Sequence, residues 1–150
     1  MSEFVVRDYR DEDCEAAIAL WRRAWDAALP EIDFSERLTW WRERWVRDLV
    51  PKNRIRIAEY NGRLAGFIVI DPGSGYLDQI AVAPEDWGTG IAKRLMGEAK
   101  RISPARISLE VNQENARAIR FYERAGFERT GEGVNPLSGR PVWRYSWKSG

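Results

Sequence analysis

Histidine is missing from all 150 residues, cysteine occurs once, at Cys14, and the formal net charge is only +1. Without histidine there can be no Ser-His-Asp triad, no HExxH zinc site and no imidazole base, so acid–base chemistry falls to carboxylates, tyrosine, serine, backbone or water. One cysteine excludes an internal disulfide framework. A near-neutral chain has no general attraction for nucleic acid or anionic membrane, and neither is expected as a partner. No apolar run reaches the length of about eighteen residues that marks a membrane span, and no secretory-type apolar stretch opens the sequence. The expected location is the cytoplasm. Internal repeats, linkers and low-complexity segments are also missing, which suits one domain spanning residues 1–150.

What is present is organised around residues 76–102, YLDQIAVAPEDWGTGIAKRLMGEAKRI. A short apolar run closed by Pro84 predicts a buried strand. From Gly88 onward, Ile91, Leu95, Ala99 and Ile102 recur at helical spacing until Ser103-Pro104 ends the pattern. A helix start leaves N–H groups unpaired and carries the positive end of the dipole, and Gly88 and Gly90 remove the side chains that would keep an anion away. The pattern predicts a phosphate cradle. It is neither a dinucleotide fingerprint, which wants glycine where Lys93 stands, nor a P-loop.

Around this stretch, Phe4 to Tyr9 predicts a strand, and a helix runs from the acidic Asp11–Asp13 cluster to about Leu29. Ser35 can cap a second helix from Glu36 to about Val50. Trp21, Trp25, Trp41 and Trp45 fall on the buried stripes of this pair, whereas Trp40 falls off and is placed in a substrate cleft. Arg54–Tyr60 and Leu64–Ile70 flank Asn61-Gly62 as a hairpin. Arg106–Asn112 alternates cleanly and, joined through a helical crossover, should run parallel to the organising strand. Asn115 caps a helix through Arg124, ended by Gly126. Phe127–Thr130 is a strand, Gly131–Pro141 a loop and Val142–Trp147 a closing strand. The aromatic face Trp143, Tyr145 and Trp147 serves the core or, in a homodimer, an interface.

Two segments together resemble the GNAT superfamily of acetyl-CoA-dependent N-acetyltransferases. IAVAPEDWGTGIAKRL, residues 80–95, is similar to the family's acetyl-CoA motif, and LEVNQENARAIRFYERAGF, residues 109–127, to the motif that follows it. One position departs, because Trp87 stands where the signature opens on Gln or Arg. The resemblance implies an α/β (α+β) fold: a mixed central sheet of six to seven strands, an antiparallel N-terminal meander, a parallel pair at the cofactor site and about four helices. It implies acetyl-CoA as cosubstrate and no metal. The backbone of Ile80, Ala81 and Val82 would pair with the pantetheine arm, and the amides of Trp87, Gly88, Thr89, Gly90, Ile91 and Ala92 would hold the pyrophosphate. Asn115 would touch the pantetheine, and Tyr122 would lie beside the sulfur.

The implied reaction moves an acetyl group to a primary amine, on a small molecule, peptide or protein, by direct attack in a ternary complex. A lysine-like amine is neutral in only about one molecule in 2,500 at pH 7, a cost of about 4.6 kcal/mol, so a base matters. Glu110, on the polar face of its strand, is the leading base; Asp78 either shares that task or attracts the substrate's ammonium; water is the third route. Tyr122 is the expected general acid. The alternative is a non-catalytic module that binds acyl-CoA or uses the fold for protein contact.

Overall fold

The computed structural model describes residues 4–33, 35–136 and 138–149. Strand β1 (Phe4–Asp8) leads through a 3-10 turn at Asp11–Asp13 into helix α1 (Cys14–Ala28). A second 3-10 turn, Ser35–Arg37, opens one continuous helical run: α2 (Leu38–Arg44), a π-helical turn at Trp45–Leu49 and the single turn α3 (Val50–Lys52). The Asp33 carboxylate accepts from the Ser35 N–H at 2.9 Å, so Asp33 takes the capping part expected of Ser35. Strands β2 (Arg54–Tyr60), β3 (Arg63–Ile70) and β4 (Leu77–Val82) form the meander. Its first hairpin turns at Asn61 and Gly62 with φ of 53° and 77°, the doubly left-handed geometry that an Asn-Gly pair favours. Helix α4 (Ile91–Ile102), β5 (Arg106–Asn112), α5 (Ala116–Arg124), β6 (Glu128–Val134) and β7 (Pro141–Lys148) complete the order.

The strands form two antiparallel sheets, β1-β2-β3-β4 and β5-β7-β6. The parallel pair expected between β4 and β5 is reduced to one parallel bridge, Tyr76 with Ser108. Beyond it β5 is committed to β7 along its whole length, from Arg106↔Lys148 to Asn112↔Val142. Neighbouring strands rotate by about 20–25°, and with no further bonds to hold them the two sheets diverge. The divergence leaves a notch along β4. The predicted loop at Gly131–Pro141 also changes: β6 extends through Gly131–Val134, paired with Arg144–Pro141.

Each face of the first sheet carries its own core. On one side Trp41 and Trp45 are fully buried, Trp21 stacks on Trp41 with centroids 4.4 Å apart, and Trp45 meets Phe67 edge-on at 5.1 Å. On the other, Ile91, Leu95 and Ala99 of α4 pack with Ile68, Ile107, Leu109 and Tyr145. Among the described residues no helix is long and apolar enough to cross a membrane.

Helix α1, whose C-terminal end walls one side of the notch, is tied to the sheet by charge at its start. Arg7 reaches both carboxylate oxygens of Asp13 at 2.8 Å and Glu59 at 2.9 Å, while Asp13 accepts from the Arg10 N–H at 2.8 Å. The Arg7 guanidinium holds the Asp13 carboxyl below its ordinary value. A depressed folded-state value stabilises the fold above the unfolded value, near 3.9, and this contribution disappears as pH falls through the folded value. Asp13→Asn is therefore expected to cost about 2 kcal/mol at neutral pH. Urea melts should show the gap from wild type narrowing below about pH 4; a pH-independent gap would mean that the carboxylate's charge contributes nothing.

Candidate active site

The notch is a cavity of about 420 Å³ between α1, β4, the turn after β4, β5 and α5. One edge of β4 forms its floor. Ala83 N–H donates to Ala65 C=O at 2.8 Å, and backbone groups alternate in direction along an antiparallel strand, so Ala83, Ala81 and Gln79 face β3. Val82 and Ile80 therefore turn their N–H and C=O toward the notch. Ala81 lines the cavity, but its backbone is spent on β3.

The turn is held from beneath and open above. Asp86 is buried and paired at 2.8 and 3.0 Å with two nitrogens of Arg63 on β3. Thr89 donates its hydroxyl to Asp86 C=O at 2.6 Å. Two amides of the expected cradle are used locally, Trp87 N–H by Pro84 C=O at 3.2 Å and Thr89 N–H by Asp86 C=O at 3.3 Å. Those of Gly88, Gly90, Ile91 and Ala92 have no acceptor among the described residues. Gly88 and Gly90 take φ of 83° and 93°, which an L side chain adopts only with strain, and a Cβ on either would point into open space. The residues present thus fit a polyphosphate: four free amides at a helix start, with nothing standing in front of them.

Trp87 is partly buried. Its indole N–H donates to Val82 C=O at 2.9 Å, while the Arg117 guanidinium lies 3.8 Å above its ring. Lys93, Arg117 and Arg124 also line the cavity, and no carboxylate among the described residues pairs with them. The sequence reading did not single out these cations. Their only one-dimensional signal is the i, i+3, i+7 spacing of Arg117, Arg120 and Arg124 on α5, which also fits a solvated face.

At the other end the expected chemical groups converge. Asn115 accepts from the Ala118 N–H at 3.2 Å and so caps α5. That cap fixes the helix which brings Tyr122 to the cavity wall, where only 8% of its surface remains exposed. Burial pushes the Tyr122 phenol up from its ordinary value, with a further contribution from Tyr76. Tyr76 itself is pushed up to about 12, first by burial and then by the charges of Glu110 and Asp78. Tyr76 is thus within electrostatic reach of Glu110, Asp78 and Tyr122, although it is 36% exposed and does not line the cavity.

Both carboxylates line the cavity with an arginine partner. Asp78 is held by Arg44 at 2.9 and 2.5 Å, and Glu110 by Arg144 at 3.3 Å. Arg44 comes from α2, where it also faces the Trp40 and Trp41 rings at 5.9 and 5.6 Å. Trp40 stays outside the cavity wall and is 40% exposed; the tryptophans that reach the wall are Trp25 and Trp87.

Comparison with known proteins is consistent with this geometry. The model of the Acetyltransferase (GNAT) family matches residues 14–127. Peptidyl-lysine N-acetyltransferase YiaC of Escherichia coli (strain K12) is 30% identical over 146 residues, covering 95% of this chain and 96% of that protein. Peptidyl-lysine N-acetyltransferase YjaB of Salmonella typhimurium is 29% identical over 137 residues, 91% of each chain. The crystal structure of the PaiA N-acetyltransferase from Thermoplasma acidophilum, in complex with coenzyme A, has a TM-score of 0.78 at 23% identity, over 97% of this chain and 99% of that one.

Proposed function

This chain belongs to the Acetyltransferase (GNAT) family and is an acetyl-CoA-dependent N-acyltransferase, and we propose that its acceptor is a lysine side chain of a peptide or protein. We propose further that the amine attacks directly while both substrates are bound. The observation that carries this is the meeting, in one cavity, of a free strand edge and open amide cradle with two carboxylates and a buried tyrosine. Two relatives named as peptidyl-lysine N-acetyltransferases support the choice of acceptor.

Bound acetyl-CoA supplies the acyl group as an activated thioester. The chain's own residues then have separate tasks. Ile80 and Val82 offer backbone pairing to the extended pantetheine arm, as a strand edge does for an added strand. The Val82 carbonyl is occupied by the Trp87 indole, which leaves the Val82 N–H to face the oxygen where negative charge develops. The amides of Gly88, Gly90, Ile91 and Ala92 hold the phosphates, and Asn115 contacts the arm at the start of α5.

A lysine must lose its proton before it can attack. Glu110 takes that proton, directly or through water, and Asp78 faces the incoming ammonium. Arg44 and Arg144 hold the two carboxylates fixed in direction. Tyr122 donates to the departing sulfur. Burial raises its phenol, and the same burial disfavours a thiolate released beside it, so both effects keep the proton on a neutral group.

The test is to incubate the protein with acetyl-CoA and lysine-containing peptides and to locate the acetyl group by mass spectrometry. Glu110→Gln is expected to lower kcat/KM about a hundredfold at neutral pH, with the loss shrinking as rising pH deprotonates the amine unaided. A rate unchanged at every pH would remove Glu110 from the mechanism. Acetylation of small amines but of no peptide would overturn the acceptor.

A further inference from the structure

Trp87 occupies the position from which a side chain would help hold the phosphates, yet it cannot serve as a donor there. Its single N–H is committed to Val82 C=O at 2.9 Å. What its ring does carry is the Arg117 guanidinium, 3.8 Å from the centroid. That arginine reaches across from α5 to the turn after β4, and both residues line the cavity beside Gly88 and Gly90.

The surroundings leave Arg117 uncompensated. Arg120 and Arg124 follow it on the same helix and oppose its charge. The acidic residues nearby are engaged elsewhere, Glu114 by Arg140 at 2.8 and 2.9 Å, and Glu123 by the Tyr145 hydroxyl at 2.8 Å. The chain has 24 basic and 23 acidic residues, so a like-charge cluster without a carboxylate partner is not forced by composition. A guanidinium stacked on an indole face keeps its N–H groups in the plane and free, the geometry that forks onto two phosphate oxygens.

We propose that Arg117, held over the Trp87 ring, is a second arm of the phosphate site and supplies the diphosphate of the cosubstrate with the formal charge that the amide turn lacks, Trp87 acting as its platform. The inference rests on the acetyl-CoA reading above but adds a binding residue from a different element. The Trp87 side chain thereby serves two directions at once. Its edge closes one carbonyl of the strand that receives the arm, and its face aims a cation at the phosphates.

Isothermal titration of coenzyme A and of pantetheine, which carries no phosphate, tests it. Arg117→Ala should weaken coenzyme A about tenfold or more and leave pantetheine unchanged. Trp87→Leu, which keeps bulk but removes the ring face, should weaken coenzyme A in the same sense, whereas Trp87→Phe should preserve most of the affinity. In the double variant Arg117→Ala/Trp87→Leu the losses should fall well short of adding, because the platform has nothing left to hold. Equal losses for coenzyme A and pantetheine, additive losses, or wild-type affinity in Arg117→Ala would each overturn this inference while leaving acetyl transfer standing. Failure of wild type to bind coenzyme A at all would overturn both.

Discussion

Replacing Gly90 by glutamate is expected to weaken acetyl-CoA binding at least about a hundredfold while the fold survives. Two effects add. Gly90 has φ of 93° and an L residue there is strained, at a cost of about 1–2 kcal/mol. The new carboxylate also points into the open space before the cradle, where nothing lies within 4 Å of the added Cβ. Against a phosphate oxygen at about 4 Å, at the effective dielectric of a protein surface, repulsion is worth about 4 kcal/mol. Gly90→Ala separates the two terms, because it has the strain without the charge: its melting temperature should drop like that of the glutamate variant, but its affinity should fall far less. Titration of acetyl-CoA against all three proteins reads the result. Equal affinity in wild type and Gly90→Glu would reduce the turn to a structural corner with no part in binding phosphate.

Tyr122→Phe is expected to lower kcat about a hundredfold or more with acetyl-CoA affinity nearly unchanged. The hydroxyl has no protein hydrogen-bond partner among the described residues, and the ring packs at 5.8 Å from Phe127, so deleting one oxygen should leave the fold almost intact. What is removed is the proposed donor to the departing sulfur. Because burial raises the phenol, the wild-type group stays protonated beyond its ordinary value near 10, and no loss of rate from its ionisation is expected below that pH. Single-turnover acetylation of a lysine peptide separates the chemical step from binding. A wild-type kcat in the phenylalanine variant would assign Tyr122 to packing alone.

Much of this organisation could be read from one dimension because local signals agreed with the final fold. The meander follows from alternation in β2 and β3 with Asn61-Gly62 between them, and the cradle from glycines set at a helix start. Where sequence and structure differ, most of the deciding partners are distant in sequence. Residues 131–134, Gly-Glu-Gly-Val, have the composition of a loop, yet β7 pairs with them and makes them a strand. The crossover rule gave the direction of β5 relative to β4 but not the distance over which they stay together. Serine before a helical pattern suggested a cap, and a carboxylate two residues earlier took the position. Leaving the apolar stripe directs Trp40 toward a cleft, but the same departure carries it past the cavity wall. Arg117 carries no decisive local signal, because its meaning comes from Trp87, thirty positions earlier and on another element.

The diverging sheets have a consequence for solubility. A strand edge with unpaired backbone groups is a template on which another chain can add, and long flat edges invite aggregation. Here the exposed length is clipped at both ends, by the Tyr76–Ser108 bridge and by the indole on the Val82 carbonyl, and it is walled by α1 and α5. An intruding polypeptide strand would have only a few residues to pair with before meeting protein. A slender, flexible arm has no such difficulty, so this edge screens out self-templating by the same shape that suits the proposed entry of the cosubstrate.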